Sequence, residues 1–273
     1  MSQGKLSAVF GHSRQNFNKR LKLMKGRNEQ SAHLIELIQQ VRHRQPNCGF
    51  RKMHNWINQQ LLLRGQAPIG RDRGFDVLRE HQLLVPKRKR KAVTTDSYHR
   101  FRTHKNLLKK TEITGPNQAW VSDITYLRLQ GQKFCYLFLV TDYYSRKIVG
   151  YHLSTSLGVD GALKALRMAL RQSNGTKGII HHSDRGVQYC CDAYADLMDK
   201  NSMLVSMTEE NHCYENARAE RVNETLKYDL MLSETFQSFF IAKIATKEAV
   251  EIYNKERWHE ALGYLTPEMK HAA

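Results

Sequence analysis

The chain has 273 residues, 41% of them hydrophobic, which is enough for a substantial core and for more than one domain. No stretch approaches the roughly 20 consecutive apolar residues of a membrane-spanning helix, and residues 1–20 lack the basic start and apolar middle of a signal peptide. The five cysteines are odd in number and show no C-x-x-C spacing, which argues against a disulfide framework and a zinc site. We therefore expect a cytoplasmic protein without a membrane segment.

The positive charge is concentrated in the first part of the chain. Residues 1–117 contain 25 Lys and Arg against 7 Asp and Glu, whereas residues 118–273 contain 18 against 19. Each Lys or Arg that contacts a phosphate releases condensed counterions, so this excess favours binding to nucleic acid. The alternative is a solvated surface or a flexible basic tail. The predicted DNA contacts include one uninterrupted run, Lys87, Arg88, Lys89, Arg90 and Lys91.

The start of the chain has the spacing of a helix-turn-helix. Residues 6–20 predict a short helix, a turn, an N-cap at Ser13 and a second helix. The polar side of this second helix carries Arg14 and Lys19, which we predict to contact DNA. We assign residues 1–28 to this short helix-turn-helix segment.

A second helical unit follows, and we assign it to residues 29–85. Residues 33–44 have an amphipathic pattern, and after a break the apolar residues return at helical spacing. After another break, residues 71–84 predict a helix with Arg71 and Arg73 on its outward face, as further DNA contacts. A plain helical bundle would have the same pattern, but the charge favours a DNA-binding helix-turn-helix.

The chain then changes from helical to strand-like patterns. Residues 86–117 are basic and polar without apolar periodicity, which is typical of a linker between domains. Three strand-like runs begin at residue 119, and their short turns predict adjacent antiparallel strands. The run at residues 178–184 is short and apolar, as expected of a strand buried on both faces. Residues 118–235 thus have an α/β pattern, and residues 236–273 form a helical C-terminal extension.

Three carboxylates within the α/β pattern are candidates for one site. Asp123 lies in the first strand, Asp184 ends the fourth, and Glu220 lies on the helix predicted at residues 215–230. If the first and fourth strands are neighbours and this helix packs across them, the three side chains converge. A hard divalent cation would neutralise their mutual repulsion, which predicts Mg²⁺ or Mn²⁺. Two such ions about 4 Å apart can serve the attacking and leaving oxygens of a phosphodiester displacement.

Three motifs carry a resemblance to a known family. NQAWVSDITYL, HHSDRGVQY and SMTEENHCYENARAE followed by LK resemble the signatures of integrase-core transposases encoded by bacterial insertion sequences, which are relatives of retroviral integrases. Between Asp184 and Glu220 lie 35 residues, the spacing typical of this D,D,E family. The segment YNKERWHEALGYLTPEM also resembles the C-terminal end of the family.

This resemblance implies a fold and a reaction. The fold class would be α/β, with a ribonuclease-H-like catalytic core of a mixed five-stranded sheet flanked by helices, preceded by an all-α helix-turn-helix DNA-binding region. Asp123, Asp184 and Glu220 would be catalytic metal ligands for DNA strand cleavage and strand transfer at the ends of an insertion sequence. Water or a DNA 3′-hydroxyl would attack the phosphorus in line, without a covalent protein–DNA intermediate.

The resemblance also implies partners. The basic N-terminal region would bind the terminal inverted repeats, and assembly on two DNA ends with target DNA would require at least a dimer. Relatives are often made as a frameshift fusion with a smaller upstream helix-turn-helix protein, and this chain resembles the downstream (OrfB-type) partner. A bacterial protein of this kind would be associated with the nucleoid.

Two more positions match the family, and others depart from it. Lys227 lies seven residues after Glu220, which is two turns of an α-helix, so it would share the face of Glu220 and bind DNA phosphate. Asn216 matches the usual Asn-Ala of the family and is also predicted to contact DNA. Glu209 stands near a position where many relatives have a basic residue or glycine, and Trp258 stands where proline is frequent.

Other side chains compete for the candidate site. Asp142 ends the second strand, where a turn or capping role is more common, and Glu224 lies one turn after Glu220 and competes as third ligand. His181 and His182 have no partner at zinc-ligand spacing, and oxygen-rich sites prefer harder ions. Two other functions stay open: a metal-dependent nuclease without strand transfer, and a non-catalytic DNA-binding regulator.

Overall fold

The structure, a computed structural model, divides into two compact units. The N-terminal unit covers residues 1–44 and 48–87, and the C-terminal unit covers residues 45–47 and 88–273. No helix in the described part of the chain is long and apolar enough to cross a membrane. The basic run at residues 87–91 and the predicted helix and turn before Ser13 lie outside the described residues. The structure describes residues 13–86, 104–173, 175, 177–209 and 216–273.

The N-terminal unit is entirely helical over its described residues. Apolar side chains of its first helix recur at i, i+3, i+4 and i+7, the spacing that places them on one buried face. They are Leu34, Leu37, Ile38 and Val41. The second and third helices supply the other buried apolar side chains, so this unit has a core of its own. The helices are α1 (Arg14–Arg44), α2 (Phe50–Leu63) and α3 (Arg71–Glu80).

Helix α1 is longer than the sequence pattern predicts. The N-cap at Ser13 is confirmed, because its Oγ accepts a hydrogen bond from Asn16 N at 3.2 Å. The predicted division between residues 28 and 29, however, lies inside this single helix of 31 residues. No proline interrupts the segment. The single glycine, Gly26, lowers the stability of the helix by only about 1 kcal/mol relative to alanine, which is too little to end a helix.

Hydrogen bonds fix the connection between α2 and α3. The side-chain Oδ1 of Asn58 accepts from Ile69 N at 2.9 Å, and His54 Nε2 lies 2.8 Å from Ile69 O. These contacts satisfy backbone groups just before α3 begins and so orient that helix on α2. The all-helical region is therefore consistent with the predicted helix-turn-helix.

The C-terminal unit is built on a mixed sheet with the strand order β3-β2-β1-β4-β5. The three consecutive strands β1, β2 and β3 pair antiparallel, as predicted, and β4 pairs parallel with both β1 and β5. A sixth strand of two residues pairs with the far end of β1. The strands are β1 (Ala119–Leu129), β2 (Lys133–Asp142), β3 (Ile148–Ser154), β4 (Ile180–Ser183), β5 (Leu204–Met207) and β6 (Thr235–Phe236).

Helices cover both faces of this sheet. Because side chains alternate along a strand, Phe138 and Val140 of β2 face one apolar cluster, while Leu137 and Leu139 face the other. Helices α4 and α6 complete the first cluster, and α7 and α8 contribute to the second. The helices are α4 (Val159–Gln172), α5 (Val187–Cys190), α6 (Asp192–Lys200), α7 (Ala217–Glu224), α8 (Phe239–Lys255) and α9 (Pro267–Ala272).

The last part of the predicted linker belongs to the C-terminal unit. Leu107 N donates to Ser206 Oγ at 2.9 Å, and Asn106 N donates to Glu209 Oε1 at 3.0 Å. Glu209 also pairs with Lys109 at 2.8 Å, so the acidic residue that departs from the family pattern anchors this segment. The segment is held by hydrogen bonds rather than by an apolar face, which is why hydropathy did not reveal its place in the fold.

Gly150 on β3 is predicted to be intolerant of any side chain. A Cβ at this position would lie 2.2 Å from the carbonyl oxygen of Ala165 on α4, so the helix and the strand would have to move apart. We expect Gly150→Ala to reduce the free energy of unfolding by about 1–3 kcal/mol, the usual cost of overpacking, measured by urea denaturation. Gly26→Ala is the control, because its Cβ meets nothing within 4 Å and alanine inside a helix should raise stability by up to about 1 kcal/mol. A Gly150→Ala variant as stable as the native chain would contradict the prediction.

Candidate active site

The parallel pairing of β1 with β4 places two aspartates side by side. Ser122 of β1 pairs with Ser183, the last residue of β4. The residues that follow these two are Asp123, within β1, and Asp184, directly after β4. Paired residues on neighbouring strands point to the same face, and neighbouring strands lie about 4.8 Å apart. Asp184 Oδ1 accepts from Gly186 N at 3.1 Å, which holds its side chain in the turn after β4.

Helix α7 is tied across β1 by two asparagines. Asn216, just before the helix, donates from Nδ2 to the carbonyl oxygen of Ser122 at 3.1 Å. Asn223, near its end, donates from Nδ2 to Oδ2 of Asp123 at 2.6 Å. Glu220 lies between these two anchors in sequence, and the helix therefore carries it over the strand that bears Asp123.

The three carboxylates act on one another electrostatically. Burial and the charge of Asp184 raise the pKa of Asp123 to about 7, although hydrogen bonds from Ile124 N and Asn223 favour its ionised form. Burial also raises the pKa of Glu220, with further contributions from Glu224 and Asp184. The structure thus places the three carboxylates within electrostatic range of one another, and their role as metal ligands stays a prediction.

The chemistry of these donors suits a hard cation, although the side chains are not closed around one. Among the described residues, no three His, Cys, Asp or Glu side chains are arranged to hold a metal ion as they stand. Asp123 and Asp184 are half-buried on the sheet, whereas Glu220 is exposed on α7. An all-carboxylate set whose members raise one another's pKa fits Mg²⁺ or Mn²⁺, which prefer oxygen ligands.

Asp142 has the turn role that the sequence analysis favoured. Its carboxylate accepts hydrogen bonds from Asn117 N, Ser145 N and Ser145 Oγ at 2.6 to 2.7 Å. Burial opposes ionisation, but hydrogen bonds from His271 and Ser145 outweigh it and hold the pKa of Asp142 below its ordinary value. Asp142 therefore stabilises the connection between β2 and β3.

The two histidines of β4 are buried in hydrogen-bond networks. His181 Nε2 lies 2.8 Å from Ser122 Oγ and 2.9 Å from Tyr194 OH, and burial lowers the pKa of its imidazole to about 3. His182 Nδ1 lies 2.8 Å from Ser206 Oγ. Both rings thus support the strand from within the core. Glu224, the competing third ligand, is an exposed residue that pairs with Arg221 at 3.3 Å.

The structure changes the interpretation of the two predicted contacts near Glu220. Asn216 is buried, with 5% of its surface exposed, which does not fit a DNA contact; its observed role is to tie α7 to β1. Lys227 lies in a π-helical turn, Thr225–Asp229, that follows α7. The segment from Glu220 to Lys227 is therefore not two regular α-helical turns, because the π-turn changes the helical spacing, and a shared face of these two residues stays a prediction. Its contact with DNA stays a prediction.

The predicted DNA contacts of the N-terminal unit are placed only in part. Lys19 on α1 and Arg71 and Arg73 on α3 are exposed. Arg71 lies 3.7 Å from Asp72, and Arg73 lies 3.3 Å from Glu80, so both carry weak surface ion pairs. Arg14 is placed as the first residue of α1. Their binding to DNA stays a prediction.

Sequence analysis missed Asn223. This side chain holds Asp123, and its Oδ1 is buried without a hydrogen-bond partner among the described residues. The available signal was its position three residues after Glu220, which places the two side chains near one another on a helix. An asparagine carries no charge pattern, so this spacing did not mark it as part of the site.

Comparison with known proteins identifies the family. The family model described as Integrase core domain matches residues 113–213, and a second model of that description matches residues 201–267. An uncharacterized 31 kDa protein of insertion element IS600 from Shigella sonnei is 32% identical over 263 residues, covering 95% of this chain and 94% of that protein. The chain belongs to the integrase-core family of insertion-sequence transposases. It is thus an enzyme of the D,D,E transposase and integrase class.

Other relatives align over smaller parts of this integrase-core chain. The transposase InsF for insertion sequence IS3A from Escherichia coli (strain K12) is 35% identical over 172 residues, covering 62% of this chain and 59% of that protein. The HTLV-2 integrase catalytic core domain, solved in complex with magnesium, is 15% identical, with a TM-score of 0.46 over 57% of this chain and 97% of that chain. The match to the Integrase core domain model and the observed mixed sheet flanked by helices agree with the predicted fold class, in which an all-helical region precedes the core.

Asp123 is predicted to destabilise the metal-free integrase core at neutral pH. The folded state holds the proton of Asp123 up to about pH 7, whereas the unfolded chain releases it near 3.8. Stability should therefore fall as pH rises between these values, by up to about 4 kcal/mol. We expect Asp123→Asn to remove this loss and to raise Tm in EDTA at pH 7–8, measured by thermal denaturation.

The structure indicates that this substitution can be accommodated. The side-chain amide introduced at position 123 would keep an acceptor for Ile124 N, and a flipped Asn223 amide would accept from it through Oδ1. Asp196→Asn, at an exposed position on α6, is the matched control. Native and Asp123→Asn stability curves that run parallel from pH 4 to 8 would show that Asp123 ionises normally.

Proposed function

We propose that this chain is a DNA transposase that cleaves DNA strands at the ends of an insertion sequence and transfers them to target DNA, with Asp123, Asp184 and Glu220 as ligands of divalent metal ions. The observation that carries the proposal is the register of β1 and β4, which sets Asp123 beside Asp184 in an integrase-core fold. The two asparagine anchors of α7 support the proposal, because they hold the helix that carries Glu220 across the strand that bears Asp123.

Two roles in this reaction would fall to the carboxylate side chains. The two aspartates would hold cations at fixed positions, because each is restrained by hydrogen bonds at the end of the paired segment of its strand. The exposed Glu220 would have to turn toward them to complete the ligand set. When bound, Mg²⁺ or Mn²⁺ would lower the pKa of the attacking hydroxyl and neutralise negative charge on the phosphate, with two ions serving both oxygens.

DNA recognition would be divided between the two units. The exposed basic side chains of α1 and α3 would bind the terminal inverted repeats, since phosphate contacts of Lys and Arg provide affinity and the helix-turn-helix provides orientation. Pairing of two DNA ends would require at least a dimer. An upstream helix-turn-helix protein supplied as a frameshift fusion remains a predicted partner, and nucleoid association remains a predicted location.

Strand joining is the reaction that tests this proposal. A labelled DNA end of the parent element would be incubated with the native chain and Mg²⁺, and joined products would be resolved by gel electrophoresis. We expect Asp184→Asn and Glu220→Gln to lower joining by at least about a hundredfold, because loss of metal ligands removes several kcal/mol of transition-state stabilisation. Glu224→Gln is the matched control and should retain activity, because this exposed carboxylate pairs with Arg221.

The other outcomes distinguish the alternative functions. Cleavage that yields only hydrolysed ends, with no joined product, would indicate a metal-dependent nuclease. DNA binding without cleavage or joining would indicate a DNA-binding subunit or regulator. Loss of activity in Glu224→Gln with retention in Glu220→Gln would reassign the third ligand.

Metal binding can be measured apart from catalysis. A cation that binds only the folded state stabilises it by about 2.7 kcal/mol at a hundred times its Kd, so Mg²⁺ should raise the Tm of the native chain. We expect a much smaller rise for Asp184→Asn and an unchanged rise for the Asp196→Asn control, in differential scanning calorimetry at pH 8. Equal rises in all three proteins would argue against a metal site at Asp184.

A further inference from the structure

The turn between β2 and β3 presents an arginine in an uncommon backbone conformation. Arg146 has a φ of 63°, in the left-handed region that residues other than glycine, asparagine and aspartate rarely adopt. The turn is closed by Arg146 N donating to Asp142 O at 2.9 Å and by the hydrogen bonds of Ser145 to the Asp142 carboxylate. The position of this arginine is therefore fixed by the turn.

Two arginines of α7 lie beside this turn. Arg218 stacks on the ring of Tyr143, with its guanidinium carbon 3.6 Å from the ring centroid, and also donates a hydrogen bond to Tyr143 O. Burial and the charges of Arg218 and Arg221 lower the pKa of Arg146, partly offset by Tyr253. Arg146, Arg218 and Arg221, here called the arginine cluster, are thus close enough to repel one another.

Within the described part of the chain, this positive charge is only weakly compensated. Arg221 pairs with Glu224 at 3.3 Å, but their side chains are 66% and 52% exposed, and such pairs are weak. Arg146 Nε is buried and has no hydrogen-bond partner among the described residues. Residues 118–273 contain almost equal numbers of basic and acidic residues, so three adjacent arginines are a local exception. Their repulsion would be relieved by an anion that binds between them.

The cluster stands next to the candidate active site. Arg218 and Arg221 flank Glu220 in sequence, but on the helix they point away from the side that carries Glu220 toward Asp184. An α-helix with its side chains is about 10–12 Å across, and the phosphates of one DNA strand advance by about 3.4 Å per nucleotide along the duplex axis and lie farther apart than that through space. An anion at the cluster would thus lie within about three nucleotides of a phosphate at the carboxylates.

We propose that Arg146, Arg218 and Arg221 bind a backbone phosphate of the DNA strand that flanks the reacting phosphate. The proposal rests on the proposed function, because it takes DNA as the substrate. Guanidinium groups form forked, charge-assisted hydrogen bonds to phosphate oxygens, and the geometry of a stacked Arg218 suits this contact. The cluster would hold the strand in register while the carboxylates act on a phosphate within about three nucleotides.

A phosphate scan tests this assignment in the full chain. Single phosphates of a duplex bearing the element end would be replaced by neutral methylphosphonates, and affinity would be measured by fluorescence anisotropy in EDTA. For the native chain we expect a loss of about tenfold at one or two positions within about three nucleotides of the cleavage site. In Arg218→Gln or Arg221→Gln, the unmodified DNA should bind about tenfold more weakly, and the same methylphosphonate should have little further effect.

The salt dependence of binding gives a second readout. Each neutralised arginine should reduce the slope of log affinity against log salt by about one. Arg167→Gln on α4 is the matched control, because this exposed arginine lies on the opposite face of the sheet. Arg146→Asn would be made last, since asparagine tolerates the left-handed backbone better than most residues.

The outcomes separate this inference from the proposed function. Native affinity, native salt slope and an unchanged methylphosphonate profile in Arg218→Gln and Arg221→Gln would overturn the arginine-cluster site, even if the native chain joins strands. An equal loss in Arg167→Gln would also overturn it, because the effect would then be one of net charge. A native chain that neither binds nor joins the DNA end would overturn both.

Discussion

The parallel pairing of β1 with β4 is the contact on which the candidate site depends. Because side chains alternate between faces, a shift of one residue in this register would turn Asp184 to the opposite side of the sheet from Asp123. The register is held within the core, where the His181 ring bonds Ser122 and Tyr194 and the His182 ring bonds Ser206. The buried histidines thus explain why a conspicuous pair of possible ligands lies beside the site without belonging to it.

Two aspartates in strands show how the same residue type can serve either structure or ligand binding. Asp142 receives three short hydrogen bonds from its own turn and from Asn117, so its charge is satisfied within the protein and its pKa is lowered. Asp123 receives fewer and faces two other carboxylates, so its pKa is raised. A carboxylate whose negative charge the protein does not balance is available to a ligand. The same carboxylate lowers the stability of the metal-free protein.

The sheet and its three carboxylates were accessible to sequence reasoning, whereas the surroundings were not. The bounds of β1 and the pairing of the first three strands follow from alternation and short turns, which are local properties. The π-helical turn after α7 depends on tertiary contacts, including the buried ion pair of Asp229 with Arg257, which no local pattern encodes. Asn223 and Arg146 acquire their roles only when distant segments meet, so composition and spacing could not assign them.

Helix α7 unites the acidic and basic parts of this region on one short element. Its buried stripe packs on the sheet, Glu220 lies within electrostatic range of Asp184, and Arg218 stacks over Tyr143 at the end of β2. Opposite charges on two sides of one helix keep a fixed separation, because the helix moves as a rigid body. Any motion that carries Glu220 toward the aspartates therefore also moves Arg218 relative to the β2–β3 turn. The asparagine anchors at both ends of α7 limit that motion, so capture of the strand and completion of the carboxylate set would be coupled through the same helix.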